Sequence, residues 1–317
     1  MTHILFQLII LTIGFVLLIK GADFFVKGAS AIARRFHVPQ LIIGLTVVAM
    51  GTSAPEAAVS IGAAVSGNAD ITIGNVLGSN VMNVLVVLSM TAAVAPIAVD
   101  KKAVRFDLPI VLGVTILLVA LGMFGHAVDR WEAIVLLAIF IAYMIRLFFD
   151  AKDSKDQAEL ELEESRPTWG QGNGWTYLMT LTGLVMIVIG SKATVYGATQ
   201  IALELGVSQR IIGLTIVAFG TSLPELVTSV IAARRGEAGL AIGNIIGSNI
   251  FNILFVTGIT AMITPIAFRP DFLFDGIVAF ASAALLWIFA WRMRRLNRIC
   301  GAVMLAGYAA YFIYLLQ

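Results

Sequence analysis

The chain has one cysteine, Cys300, and three histidines in 317 residues. A lone cysteine excludes an intrachain disulfide and any metal centre built from cysteines. His3, His37 and His126 are far apart and sit near the ends of apolar runs, which fits surface positions rather than a shared catalytic or metal-binding role. Charge is scarce: Asp, Glu, Lys and Arg make up 13% of the residues, against roughly 25% in soluble globular chains. The formal net charge is only +2, which argues against nucleic acid or any other acidic partner. Catalytic signatures are missing as well. There is no HExxH zinc motif, no Cys–His pair and no glycine-framed nucleophilic serine. Enzymatic chemistry is therefore disfavoured, and nothing in the sequence asks for a bound cofactor or an obligatory protein partner.

Apolar residues are abundant, at 59%, and they fall into long runs. Ten candidate spans emerge, at approximately 4–25, 39–66, 70–96, 105–124, 130–149, 174–199, 208–234, 238–264, 272–291 and 296–316. Each is near the ~20 residues that cross the hydrocarbon of a bilayer. No basic residue precedes the first run, so it reads as a retained helix rather than a cleaved signal. The expected fold is an all-α polytopic membrane protein. The one polar segment, 150–173, reads as a short linker between residues 1–149 and 174–317.

Those two parts are related. A shift of 169 places Gly51-Thr52-Ser53 on Gly220-Thr221-Ser222, Pro55-Glu56 on Pro224-Glu225, and Gly78-Ser79-Asn80 on Gly247-Ser248-Asn249. It also pairs Asn83 with Asn252, and more than half of the positions between Ile43 and Leu85 are identical to their partners. The repeated motif spans 44–85 and returns at 213–254. With five spans in each half, the second half must begin on the opposite side of the membrane from the first. This is the inverted-repeat plan of many secondary transporters. Basic residues concentrate after spans one, three, five, seven and nine, so those loops are expected in the cytoplasm of a bacterial inner membrane, with both termini outside.

The motif has a physical reading. Proline in a helix removes an N–H and collides with the carbonyl four residues back, so the chain should open near 49–53 and 218–222. Freed carbonyls inside a membrane must be buried in protein or line a wet cavity. Thr52, Glu56 and Ser60 step by four, with Ser53 beside them. Asn75, Ser79 and Asn83 form a second polar stripe, and Thr221, Ser222, Glu225, Ser229, Asn244, Ser248 and Asn252 repeat the set. Carboxylate, hydroxyl, amide and carbonyl oxygens make a hard-oxygen set, suited to calcium or sodium rather than zinc or copper. Glycines 74, 78, 243 and 247 allow close helix packing. Lys20, Asp23, Lys27 and Lys192 read as snorkelling or ion-paired interfacial groups. Two intramembrane glutamates at matched positions point to function. Together they carry a charge of −2, which matches one Ca²⁺, or two or more monovalent ions.

The paired "GTSAPE" and "GTSLPE" segments, each followed by "GNxxGSN", resemble the alpha repeats of the calcium/cation antiporters, and the chain looks like a bacterial sodium/calcium exchanger-type member. The resemblance implies a calcium site built from Glu56 and Glu225 with the carbonyls of Thr52 and Thr221. It implies sodium sites using Ser53, Ser222, Ser79, Ser248 and the carbonyls of Ala49 and Ala218, near Asn83 and Asn252. It also implies that spans one and six slide together across the core. In the archaeal exchangers the position matching Asn252 is an aspartate, whereas here both matched positions are Asn. The expected function is export of Ca²⁺ in exchange for Na⁺ by alternating access. Exchange against H⁺ or with K⁺ is the alternative, and a cation channel is the rival from another class.

Overall fold

The computed structural model describes residues 2–153, 173–207, 215–216 and 218–315. Helices dominate. The first half contains α1 (Thr2–Phe36), α2 (Gln40–Thr52), α3 (Ala54–Val65), α4 (Ile71–Val94), α5 (Ala103–Gly125) and α6 (Arg130–Asp153). The second contains α7 (Asn173–Glu204), α8 (Ala218–Thr221), α9 (Leu223–Arg234), α10 (Ala238–Ile263), α11 (Asp271–Met293) and α12 (Arg298–Leu315). Four two-residue strands, β1 (Ile97–Ala98), β2 (Ala127–Val128), β3 (Ile266–Ala267) and β4 (Arg295–Leu296), join helix ends.

Among the described residues, eight unbroken helices are long and apolar enough to cross a membrane, and α2 with α3 forms one further span bent by 47°. Part of the expected span 208–234, and the linker between Asp153 and Asn173, lie outside the described residues. The first and sixth expected spans are longer than their apolar runs. α1 continues through Lys27 and Arg34 to Phe36, and α7 continues through Lys192 to Glu204. At ~1.5 Å per residue, the 35 residues of α1 exceed the ~30 Å of a hydrocarbon core. Its charged stretch is paired both within the helix and to the turn after α9. Asp23 pairs with Lys27 at 2.8 Å and also with Arg235, while Arg34 lies 3.6 Å from Glu237.

Burial sorts the helices. The apolar windows of α4 and α10 are 78% and 83% buried, against 22% for α1 and 33% for α7. α4 and α10 are therefore the centre, and the α2–α3 and α9 segments pack against them. The outer helices exchange partners between halves, with α6 lying on α10 and α12 on α4. The strands do the same: β1 pairs antiparallel with β4, and β2 with β3. Each half thus completes the other.

α1 and α7 pack along a seam that the sequence reading missed. Glycines recur every seven residues, at 14, 21 and 28 on α1 and at 183, 190 and 197 on α7. A Cβ on Gly183 would lie 2.5 Å from the Phe25 backbone nitrogen, and one on Gly190 would lie 2.6 Å from that of Leu18. The missing side chains let the two backbones touch, the packing that drives helix association in lipid.

Candidate functional site

The site begins at two helix breaks. Ser53 separates α2 from α3, and Ser222 separates α8 from α9, with nearly equal backbone angles (φ −84°, ψ 6° and φ −89°, ψ 3°). Pro55 and Pro224 follow in the first turn of α3 and α9, where a missing N–H leaves no bond unmade. The expected opening of the backbone is present, and the carbonyl of Gly220 accepts a hydrogen bond from Ser191 Oγ of α7 at 2.9 Å. Glu56 and Glu225 fall in the first turns of α3 and α9, at the helix ends whose unpaired N–H groups favour negative charge. Both glutamates are fully buried.

Hydrogen bonds then cross between the halves. Ser53 Oγ donates to Glu225 Oε1 at 2.8 Å, and Thr52 Oγ1 donates to Asn244 Oδ1 at 2.9 Å. Ser248 Oγ stands 3.5 Å from both Glu225 Oε1 and the Ala49 carbonyl. Asn75 Nδ2 donates to Ser60 Oγ at 2.9 Å and to the Glu56 carbonyl at 3.2 Å. Asn244 Nδ2 does the same in the second half, to Ser229 Oγ at 2.9 Å and to the Glu225 carbonyl at 3.4 Å. These amides brace each glutamate-bearing turn against its neighbouring central helix.

Four asparagines close the floor of the site where α4 crosses α10. Asn80 Nδ2 donates to the Asn249 carbonyl at 3.1 Å, and Asn249 Nδ2 donates back to the Asn80 carbonyl at 3.4 Å. Asn83 Nδ2 donates to Asn249 Oδ1 at 3.1 Å, and Asn252 Nδ2 to Asn80 Oδ1 at 3.3 Å. Asn83 and Asn252 each open a π-helical turn, 83–87 and 252–256, a widening common at functional sites. Because their NH₂ groups are engaged across the crossing, their amide oxygens are the ends left over.

Among the described residues, the buried side-chain oxygens without a partner include both of Glu56, Oε2 of Glu225, Oγ of Ser222 and Oδ1 of Asn83 and Asn252. Each such group costs roughly 1–3 kcal/mol when unsatisfied. All of them are acceptors or hydroxyls, and no amide N–H is among them. A cation satisfies such a set and an anion does not. Among the described residues, no three His, Cys, Asp or Glu side chains are placed to hold a metal ion together, so the acidity of the site is that of two carboxylates.

Of the residues singled out from sequence, Ala49, Thr52, Ser53, Glu225, Ser248, Asn83 and Asn252 enter this cross-bonded network directly. Glu56, Ser79 and Ser222 are buried at positions matched between the two repeats, and Thr221 is half-buried beside Ser222. Ala218 lies in α8, and its side chain is outside the described set. The sequence reading missed the bracing role of Asn80 and Asn249, although their exact repetition in the two GSN segments was a usable signal.

A buried, doubly acidic, oxygen-lined site beside the crossing of two central helices, in a chain of long apolar helices, is the chemistry of a multi-pass membrane protein with a site suited to a hard cation. The family described as "Sodium/calcium exchanger protein" matches residues 6–149 and 175–317. CaxA of Alkalimonas amylolytica is 41% identical over 313 residues, covering 96% of both chains. The sodium/calcium exchanger MaX1 of Methanosarcina acetivorans is 34% identical over 350 residues, covering 97% of both. A structure of the sodium-calcium exchanger NCX_Mj, soaked with zero Na⁺ and Ca²⁺, superposes with a TM-score of 0.85 at 31% identity, covering 98% of this chain and 99% of that one. The chain belongs to the sodium/calcium exchanger family, a family of membrane antiporters rather than enzymes.

Proposed function

We propose that this protein exports Ca²⁺ from the cytosol in exchange for Na⁺ by alternating access, through a ten-span inverted repeat with both termini outside. The carrying observation is the set of buried oxygens on Glu56, Glu225, Ser222, Asn83 and Asn252 that have no partner among the described residues. Glu56 and Glu225 neutralise Ca²⁺, with carbonyls at the two breaks, among them those of Thr52 and Thr221, completing its shell. Ser53, Ser79, Ser222 and Ser248, with the carbonyls of Ala49 and Ala218, serve Na⁺, and the Asn83 and Asn252 oxygens complete the floor. The exchange of strands and outer helices between halves supports the inverted repeat. Halves that clasp each other in this way suit a carrier that rocks between two faces better than an open pore.

Obligatory exchange follows from the charge. An empty site with two ionised carboxylates is costly to move through hydrocarbon, and binding of either Ca²⁺ or Na⁺ removes that cost. The family and the neutral amides at 83 and 252, which suit a small monovalent ion, favour Na⁺ over H⁺ as the counter-ion. Calcium-45 uptake into proteoliposomes tests this reading under imposed Na⁺, K⁺ or H⁺ gradients. Outward Na⁺ should drive uptake more strongly than outward H⁺. Uptake that persists without Na⁺ and follows an imposed pH gradient would replace the reading with Ca²⁺/H⁺ exchange.

A further inference from the structure

One end of the molecule carries a positive field that the exchange site does not use. Lys101 and Lys102 immediately precede α5 and Arg105 lies in its first turn, while Arg292, Arg294, Arg295 and Arg298 span the turn from α11 into α12. The β1–β4 ladder gathers these two runs. Ala98 stands opposite Arg295, and the Val99 N–H donates to the Arg294 carbonyl at 3.0 Å. Lys101, Arg105, Arg292, Arg295 and Arg298 are exposed. None of these five, nor Arg294, has an ion pair among the described residues. Of the neighbouring acids, Asp100 accepts the backbone N–H of Lys102 at 2.6 Å, and Asp107 and Asp150 pair with Arg146, whose guanidinium lies 4.6 Å from the Phe106 ring centre.

The fold supplies its own control. The β2–β3 ladder has the same construction, yet around it Arg130 and Arg269 lie among Asp70, Asp129, Glu132 and Asp271. There Arg269 pairs with Asp271 at 3.2 Å. The ladder as such therefore requires no uncompensated charge. At the basic end, the exposed rings of Phe106 (51% exposed) and Trp291 (62%) lie beside the cations in sequence. Aromatic rings next to basic residues at helix ends mark the headgroup layer of a bilayer, and basic clusters there attract anionic lipid.

We propose that the basic surface at the β1–β4 ladder binds the phosphate headgroups of anionic membrane lipids. The rings at 106 and 291 place it at the edge of the hydrocarbon, which favours a lipid phosphate over a free one. The inference is independent of which ions are exchanged.

Thermal unfolding of the full chain in mixed micelles tests it, with phosphatidylglycerol, phosphatidylcholine or inorganic phosphate added as probes. Phosphatidylglycerol should raise the midpoint where the other two do not, and raised salt should remove the effect. The triple variant K101Q/R292Q/R295Q should need at least roughly tenfold more phosphatidylglycerol for the same shift, while R130Q/R269Q at the other ladder should behave as wild type. Equal effects of the two lipids, a phosphate effect matching that of phosphatidylglycerol, or an unchanged titration in the triple variant would each overturn the proposal. Should the triple variant fail to fold, the lipid and salt comparisons on the wild-type chain still decide.

Discussion

Ser53, at the helix break of the first half, donates its hydroxyl proton to Oε1 of Glu225, at the break of the second, across 2.8 Å. The bond joins two residues that the sequence separates by 172 positions, and it fixes one carboxylate of the pair with its other oxygen, Oε2, unpartnered among the described residues. A hydrogen bond to a charged group is worth about 1.5–3 kcal/mol. Ser53→Ala should therefore raise the Ca²⁺ concentration for half-maximal uptake by roughly tenfold or more, with the folded yield unchanged. An unaltered concentration dependence would remove Ser53 from the site.

The asparagine crossing gives a second expectation. Asn249 Oδ1 holds the Asn83 amide by its NH₂ group, so Asn249→Ala lets that amide turn and offer the wrong end to a cation. Ion affinity should fall about tenfold, the worth of a single oriented contact. In an Asn83→Asp background the same change should cost much less, because a carboxylate presents oxygen at both ends. A double-mutant cycle on apparent Ca²⁺ affinity reads this coupling directly. Additive effects would reduce Asn249 to a general packing role.

The duplicated motif, the breaks just ahead of Pro55 and Pro224 and the burial of Glu56 and Glu225 were all legible in the sequence, because a membrane allows few explanations for a repeated proline–glutamate pair. The asparagine crossing was not. Spacing by four selects Asn75, Ser79 and Asn83 on one stripe and leaves Asn80 on its flank, and only the angle at which α4 meets α10 brings Asn80 to Asn249. The glycine seam lay outside the motif window, although the same shift of 169 maps 14, 21 and 28 onto 183, 190 and 197. The buried Asp107–Tyr143 bond and its counterpart Asp275–Tyr311 depend on which neighbouring helices pack together, and single-helix periodicity does not report that.

The seam carries its own test. Gly183→Ala would drive a methyl group into the backbone of α1, an overpacking that typically costs about 1–3 kcal/mol. Its unfolding midpoint in detergent should fall. Gly62→Ala in α3, whose added Cβ meets nothing within 4 Å among the described residues, should be neutral or slightly stabilising. Equal midpoints for the two variants would mean that α1 and α7 do not touch as described.

Charge at the site sets the electrical character of transport. Two carboxylates and neutral oxygens balance either one Ca²⁺ or two Na⁺, so the cycle should move no net charge. A cycle carrying one net charge would shift its equilibrium roughly fiftyfold per 100 mV. Calcium uptake at a fixed Na⁺ gradient should therefore reach the same level at any clamped membrane potential. A level that follows the potential would require a third monovalent ion.

The central claim is that Glu56 and Glu225 together hold the transported calcium, and calcium-for-calcium exchange tests it most directly because no coupling ion is needed. Proteoliposomes loaded with unlabelled Ca²⁺ should take up calcium-45 when they contain the wild-type chain. Those with Glu56→Gln or Glu225→Gln should not, since each amide keeps the shape but removes one of the two charges that balance the ion, worth several kcal/mol in a confined site. Exchange by either variant at the wild-type rate, at equal reconstituted protein, would contradict the assignment of the site.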